Sequence, residues 1–546
     1  MSDHDIDLEN PPENLSLDNL SPEDLRNLKD NLSDPIWRLC TLYQIKTKKD
    51  GWKRFSPSPE QCEIINAIYI EGLSRLLILK ARQLGMSTVI DLIMADMAIW
   101  NLGFTGAIVD QSQKTASKKL VTIVIGAFKS MPKLIRDSFT VKKENTEEFS
   151  LLRTTTEKVS EIVASAKARG GTNQMLHISE WGPIQHEDPP RSDEILTGAI
   201  PTAEQGIIAI ETTWMGGKHG NLWQITKAAM ETRPEDMTSK DFKLFFFGWY
   251  LDPSYTLEGN MKQVPPEVWK YFAECEAELA QQGNPYKFKP GQVLWYYKVA
   301  MPMGDERYRE YPTTIDECFK APVPGAVYSK LLDKIRAAGQ IQAFDWSREH
   351  PVFTFWDLGS PENTRVIYIQ FVGREIHFID HDGNLGDTTT PAERFAHMVA
   401  KGYNYGGHFM PHDANAKEKG GKNWVQQMNE AGLTGIRVIP QCRSIWPGIN
   451  QVGMMFNRFF IHKTKCEGLI SSIEIYRTKT SNVDGHQTDL IVQDDSCHDC
   501  DPIRMLAEAI MNGMLQDYGN SIDKTHIRDS KRARQKVASS GRYRRK

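Results

Sequence analysis

Arg75-Leu-Leu-Ile-Leu-Lys-Ala81 runs directly into Arg82-Gln-Leu-Gly-Met-Ser-Thr88 and then into Val89-Ile-Asp-Leu-Ile-Met-Ala-Asp-Met-Ala-Ile-Trp100. The first seven residues are a short apolar run of the kind a buried strand requires, and the last twelve predict a helix with a wide apolar face. Strand, glycine-containing loop ending in Ser/Thr, then helix is the setting a phosphate-binding loop needs. Loop amides and the helix N-terminus face the anion, and the hydroxyl reaches Mg²⁺. Gly85, Ser87 and Thr88 fit this arrangement. Lys80 stands at the usual first-glycine position and Met86 at the usual lysine position, so the positive charge has to come from Arg82 or Lys80. Strand-turn-helix with a glycine is also ordinary packing, so the neighbours decide.

Strand-like runs recur at residues 106–110, 174–179 and 206–211, with candidate helices between them. The pattern is β-α-β with a buried, mostly parallel sheet. Upstream lies Phe55-Ser-Pro-Ser-Pro-Glu-Gln61, where Gln61 carries a paired donor and acceptor suited to an adenine edge. A surface turn with two prolines is the bland alternative. Downstream, Met175-Leu-His-Ile-Ser-Glu180 ends a strand in a carboxylate able to orient and deprotonate a water near a γ-phosphate. Glu211-Thr-Thr-Trp214 follows another apolar strand, with hydroxyls placed to sense the phosphate.

The texture changes around residues 320–350, as expected of a domain junction. Beyond it VFTFWDLG, TRVIYIQFV and REIHFIDHDG predict an antiparallel meander opening a second α/β domain. Two-metal phosphodiester cleavage needs carboxylates converging from separate strands and a helix. Asp357 closes an apolar strand, Asp413 sits in a similar setting, and Asp501 precedes the helical pattern RMLAEAIMNGML. Aspartate is also a common turn residue. Asp380, Asp382, Asp494, Asp495 and Asp499 are further acidic candidates, with Asp380 an auxiliary at most. His412 and His498 read more simply as hydrogen-bonded histidines. Cys497-His-Asp-Cys500 has no second CxxC or suitably spaced histidine pair, which argues against zinc.

The 546 residues carry a net charge of −4, with 40 % hydrophobic and 25 % charged residues, ordinary for a soluble globular protein. No apolar run approaches the ~18–20 residues that span a bilayer. The acidic start MSDHDIDLEN does not resemble a signal peptide, and eight scattered cysteines suggest a reducing compartment. The near-neutral sum hides opposite tails. Residues 1–34 hold ten acidic side chains against Arg26 and Lys29, a net of −8, and residues 523–546 hold ten basic ones against Asp523 and Asp529, a net of +8. Such tails are commonly solvated, although the basic one also suits a polyanion.

Taken together, LYQIKTKKDGWKRFSPSPEQ, LLILKARQLGMST, ARGGTNQMLHISEW and IETTWMGG resemble the large terminase subunit of tailed bacteriophages, an ATP-driven DNA-packaging motor. EYPTTIDECF and the three aspartate motifs extend the resemblance over roughly residues 35–515. It implies an α/β chain: a P-loop NTPase (ASCE/RecA-like) parallel-sheet domain followed by an RNase H-like nuclease domain. The expected divisions are an acidic tail (1–34), an ATPase domain (35–325), a linker (326–350), a nuclease domain (351–520) and a basic tail (521–546).

By resemblance Arg82 supplies the loop cation, Glu180 is the catalytic carboxylate and Arg169 is an arginine offered across subunits; a structural salt bridge is the competing reading for Arg169. Ser179 stands where the family usually has aspartate. Thr212 and Thr213 match the motif coupling hydrolysis to DNA movement, and Asp357, Asp413 and Asp501 match the nuclease motifs. ATP with Mg²⁺ would serve the first domain and Mg²⁺ or Mn²⁺ the second, with Ser87 and the three aspartates as metal ligands. The implied partners are double-stranded viral DNA, the procapsid portal, a small terminase subunit and further copies in a ring, with no membrane. The implied location is the host cytoplasm, docked transiently on the portal and absent from the mature virion. A helicase-nuclease or restriction-type translocase is the alternative, but such motors normally need two nucleotide-binding lobes and one phosphate loop is present. A non-catalytic ATP-binding scaffold is a third reading.

Overall fold

The computed structural model describes residues 21–47, 51–166, 170–359, 364–383, 385, 390–416, 421–480 and 487–515. The chain divides into two compact units, Met1–Pro322 and Val323–Lys546. Among the described residues no helix is long and apolar enough to cross a membrane.

The first unit is built on strands β1 (Arg75–Lys80), β2 (Thr105–Val109), β3 (Phe139–Glu144), β4 (Glu148–Arg153), β5 (Val159–Ala164), β6 (Met175–Ser179), β7 (Ile207–Thr212) and β8 (Lys243–Phe247). They form one sheet in the order β8-β1-β7-β6-β2-β5-β4-β3. The six strands from β8 to β5 are mutually parallel, and β4 and β3 add an antiparallel edge. Every residue of β1 and β6 is buried, the continuous apolar character expected of a sheet covered on both faces. Helix α1 (Met86–Trp100) follows β1 and is buried along most of its length, including Asp91 and Asp96. A buried carboxylate must be partnered. Asp96 is, by a bidentate bridge from Arg38 at 2.6 and 2.8 Å and by the hydroxyl of Tyr43 at 2.7 Å.

One strand, β7, separates the loop-bearing β1 from β6 with its terminal carboxylate, which is the P-loop NTPase arrangement of the ASCE type. The strand-like runs at 106–110, 174–179 and 206–211 fall on β2, β6 and β7. The acidic stretch 1–34, expected as a tail, carries helix Pro22–Ser33, because Leu28 and Leu32 pack against the core. Residues 1–20 lie outside the described residues, as does the basic tail 521–546.

In the second unit the strands are β9 (Ile341–Gln342), β10 (Val352–Asp357), β11 (Arg365–Val372), β12 (Glu375–Asp382), β13 (Tyr405–Met410), β14 (Ile436–Val438) and β15 (Phe459–His462). Their order is β9-β15-β12-β11-β10-β13-β14. β10, β11 and β12 form the expected antiparallel meander. β13 then joins β10 in parallel and β14 joins β13. This is the RNase H-like arrangement, and helix α2 (Asp495–Met511) packs on β10 and β11.

Two expectations need revision. Residues 326–350 contain helix Ser329–Ala337, whose Leu332 and Ile335 are buried in the second unit's core, and β9, which pairs with β15. They are part of the fold rather than a linker. Asp501 lies in the second turn of α2 and not ahead of it. The helix begins earlier because Asp494 caps it, accepting from the Ser496 amide at 3.0 Å, and because Cys497 and Cys500 bury its first turns.

Candidate active sites

At the carboxyl ends of β1, β6 and β7 the sequence brings polar residues to the edge where parallel sheets bind ligands. Lys80 ends β1, and its ammonium is buried between two carboxylates, 2.9 Å from Glu180 Oε1 and 2.9 Å from Glu211 Oε2. Burial opposes the charge, but Glu211 and Glu180 outweigh it and raise the Lys80 pKa. Glu211, fully buried, also accepts from Ser87 Oγ at 2.6 Å and from Ser179 Oγ at 2.5 Å, both on Oε1. Lys119 lies 3.5 Å from the same oxygen and 2.7 Å from Asp110, and it also donates to Ser179. Burial alone would push the Glu211 carboxyl up, yet Lys80, Lys119 and His177 hold it well below the usual range.

Loop geometry tightens the group. Gly85 caps α1 in the left-handed region (φ 73°), and a Cβ there would sit 2.7 Å from Gln61 Nε2. The two non-glycine residues with positive φ among the described residues, Gln83 (68°) and Glu180 (57°), both belong to these strand-end turns. Such conformations cost about 1–3 kcal/mol each and collect at functional sites. Glu180 Oε2 accepts from the backbone N–H and the hydroxyl of Thr213, each at 3.2 Å. Thr212 Oγ1 accepts from the Gly182 N–H at 2.9 Å, and a Cβ on Gly182 would lie 2.5 Å from the Thr213 carbonyl oxygen.

Lys80, Ser87, Glu180, Thr212 and Thr213 therefore come together as the sequence predicts. Thr88 stands beside Ser87 in the first turn, its N–H reaching the Gly85 carbonyl at 3.1 Å. Gln61 has both ends of its amide engaged within the protein: Oε1 accepts from the Ser58 N–H at 3.0 Å and Nε2 donates to the Gly85 carbonyl at 2.9 Å. It braces the loop instead of presenting an adenine-reading edge. Arg82 is 60 % exposed and pairs with Glu310 at 2.8 Å, so the buried cation beside Glu180 is Lys80. Arg169 lies outside the described residues. The sequence reading missed Glu211, Lys119 and His177. Their signal was polarity at the buried ends of apolar strands and on a following helix.

His177 is wholly buried on β6, bonded to Asp91 at 2.6 Å and 3.5 Å from Glu211. Burial favours the neutral ring, but Asp91 and then Glu211 outweigh it and push the pKa up to about 8. A folded pKa above the unfolded ~6.5 contributes stability that is complete below pH 6.5 and lost as pH rises through about 8, on the order of 2 kcal/mol. Urea unfolding at pH 6 and pH 9 is expected to show that loss in the wild type and a smaller one in His177→Gln; equal losses would remove His177 as the cause.

In the second unit Asp357 ends β10, Asp413 follows the adjacent parallel strand β13, and Asp501 lies on α2. Burial raises the Asp357 carboxyl, and the charges of Asp501 and Asp413 add to this while His498 opposes it. His498 Nδ1 lies 2.8 Å from Asp357 Oδ2, and Arg504 Nε lies 3.1 Å from Asp501 Oδ1. The Asp413 side chain is exposed. The other acidic candidates have structural partners: Lys401 bridges Asp380 and Asp382, Arg477 holds Asp494, and Arg365 pairs with Asp495 and Asp499. Among the described residues no three His, Cys, Asp or Glu side chains already meet at a single metal position.

No protein-family model matches the sequence. No curated protein matches it either. Among solved structures the chain is similar to the HK97 bacteriophage large terminase at 13 % identity, covering 86 % of this chain and 98 % of that one with a TM-score of 0.43. It is also similar to the large terminase of a thermophilic bacteriophage in complex with ATP-gamma-S, at 11 % identity over 83 % of this chain and 98 % of that one, TM-score 0.31. The large terminase nuclease from thermophilic phage G20c with bound cobalt is 12 % identical, over 34 % of this chain and 98 % of that one, TM-score 0.26.

Proposed function

We propose that the chain is an ATP-driven motor that moves double-stranded viral DNA into a procapsid and cuts concatemeric DNA with its second unit. The observation that carries this is Lys80 joined to Glu180 and Glu211, with Ser87 on Glu211, at one end of a parallel sheet whose chain continues into an RNase H-like sheet bearing three aspartates. A buried lysine, a strand-end carboxylate and a loop hydroxyl after a glycine suit a nucleoside triphosphate better than any other common ligand.

In this reading Gly85 and the first amides of α1 cradle the phosphates, and Lys80 supplies positive charge beside them. Glu180, fixed by Thr213, orients and deprotonates the attacking water, and Thr212 and Thr213 pass its movement on. Ser87 would hold a magnesium ion, which supplies charge neutralisation to the phosphates. Arg169 would complete the site from a neighbouring subunit of a ring on the portal.

In the second unit burial raises the Asp357 carboxyl, with Asp501 and Asp413 adding to it, a setting that suits a divalent cation. Asp357, Asp413 and Asp501 would hold Mg²⁺ or Mn²⁺, which would supply a more acidic water and positive charge for the leaving oxygen. His498 and Arg504 hold two of those carboxylates meanwhile. DNA contacts would be mainly to phosphates and therefore salt-sensitive. A small terminase subunit would choose the DNA.

The purified chain is expected to hydrolyse ATP faster with duplex DNA present and to nick supercoiled plasmid only when Mn²⁺ or Mg²⁺ is added. Failure of both, with the isolated second unit also silent, would overturn the reading.

A further inference from the structure

We infer that Glu211 is the carboxylate that positions the nucleotide's magnesium ion, acting through Ser87 from the strand between those that normally share this task. The inference rests on the ATP-binding reading above and adds a residue to it.

The strand order supplies the reason. β7 lies between β1 and β6, with Glu211 in register beside Ile78 on one side and Ser179 on the other. At position 179, where an aspartate would face the loop, the chain has only a hydroxyl. The missing carboxylate is present one strand over. Glu211 Oε1 accepts from Ser87 of the phosphate loop and from Ser179, at 2.6 and 2.5 Å. Ser179 thus stands where the aspartate would be and binds its replacement.

A carboxylate needed only to neutralise Lys80 would not require two hydroxyls on its other oxygen, one of them from the loop. The Ser87 proton is directed to Glu211, which leaves that oxygen's lone pairs for a cation. Complete burial, between Lys80 and Lys119, keeps water from screening the charge. Glu211 touches neither phosphate nor water in this scheme and is a positioning residue.

The test uses the full chain and a fluorescent ATP analogue, titrated in Mg²⁺ and again in EDTA. Glu211→Gln keeps the size and can still accept from both serines. It is expected to hold or raise the EDTA affinity, because Lys80 loses one of its two carboxylates, and to lose about 10–100-fold in the Mg²⁺-dependent gain. Adding Ser179→Asp to that variant should restore the gain. A purely structural Glu211 would weaken binding equally in both conditions, with no restoration, and that result would overturn the inference. So would an unchanged Mg²⁺ gain. If Glu211→Gln does not fold, Glu211→Asp, which retracts the carboxylate by one methylene, is expected to diminish the gain alone. A wild type that binds no nucleotide in either condition would instead defeat the ATP-binding reading itself, before any variant is made.

Discussion

Glu180→Gln is expected to bind ATP as well as the wild type and to turn it over at least ~10²-fold more slowly, the low end of what a positioned general base contributes. Glutamine keeps the shape of the side chain and can still accept from Thr213, whose N–H and hydroxyl both lie 3.2 Å from Oε2. It loses the charge that attracts a water proton and that pairs with Lys80 at 2.9 Å. The left-handed turn at residue 180 is unaffected, since neither side chain is β-branched. The check is kcat beside analogue affinity and a melting curve. An unchanged kcat would move the base elsewhere and favour the scaffold reading. A fall in affinity as large as the fall in rate would mean that Glu180 helps to hold nucleotide.

Asp357→Ala should reduce metal-dependent plasmid cutting by about 10²–10³-fold, because the ligand removed supports an ion worth several kcal/mol of transition-state charge stabilisation. Asp357 ends β10 with its carboxyl raised chiefly by burial, and Asp501 and Asp413 add to that shift. ATP turnover in the same preparation is the internal control for folding. Cutting that persists at the wild-type rate in Mn²⁺ would exclude Asp357 as a ligand. Parallel loss of both activities would indicate misfolding.

The sequence made the parallel core legible because β1, β6 and β7 are short apolar runs, too short to be buried helices and bounded by polar loops. The meander of β10–β12 was legible for the same reason, aided by turn residues between its strands. The edge strand β3, Phe-Thr-Val-Lys-Lys-Glu, was not: it is mostly solvent-facing and reads as a polar loop. The start of α2 was hidden because Asp494, Asp495, Ser496 and Pro502 look like turn chemistry, and only burial of the two cysteines reveals a helix there. Glu180, Ser87 and the three aspartates stand out in the sequence as candidates because each lies beside an apolar run or a helical pattern. The importance of Glu211 does not show there, since it lies in which strand stands beside which, and the order β1-β7-β6 appears in no stretch of sequence. Arg82 and Lys80 were indistinguishable as charges, and burial alone separates them.

Gly182 ties the turn at Glu180 to the end of β7, its amide donating to the Thr212 hydroxyl and its Cα face lying against the Thr213 backbone carbonyl. Two side chains in contact can absorb a displacement by changing rotamer. A residue with no Cβ, pressed on a carbonyl, has no rotamer to change. On the proposed reading the joint has little slack on its Thr213 side, so a shift of the turn at Glu180 is passed to residues 212–213 rather than taken up by a side chain of residue 182.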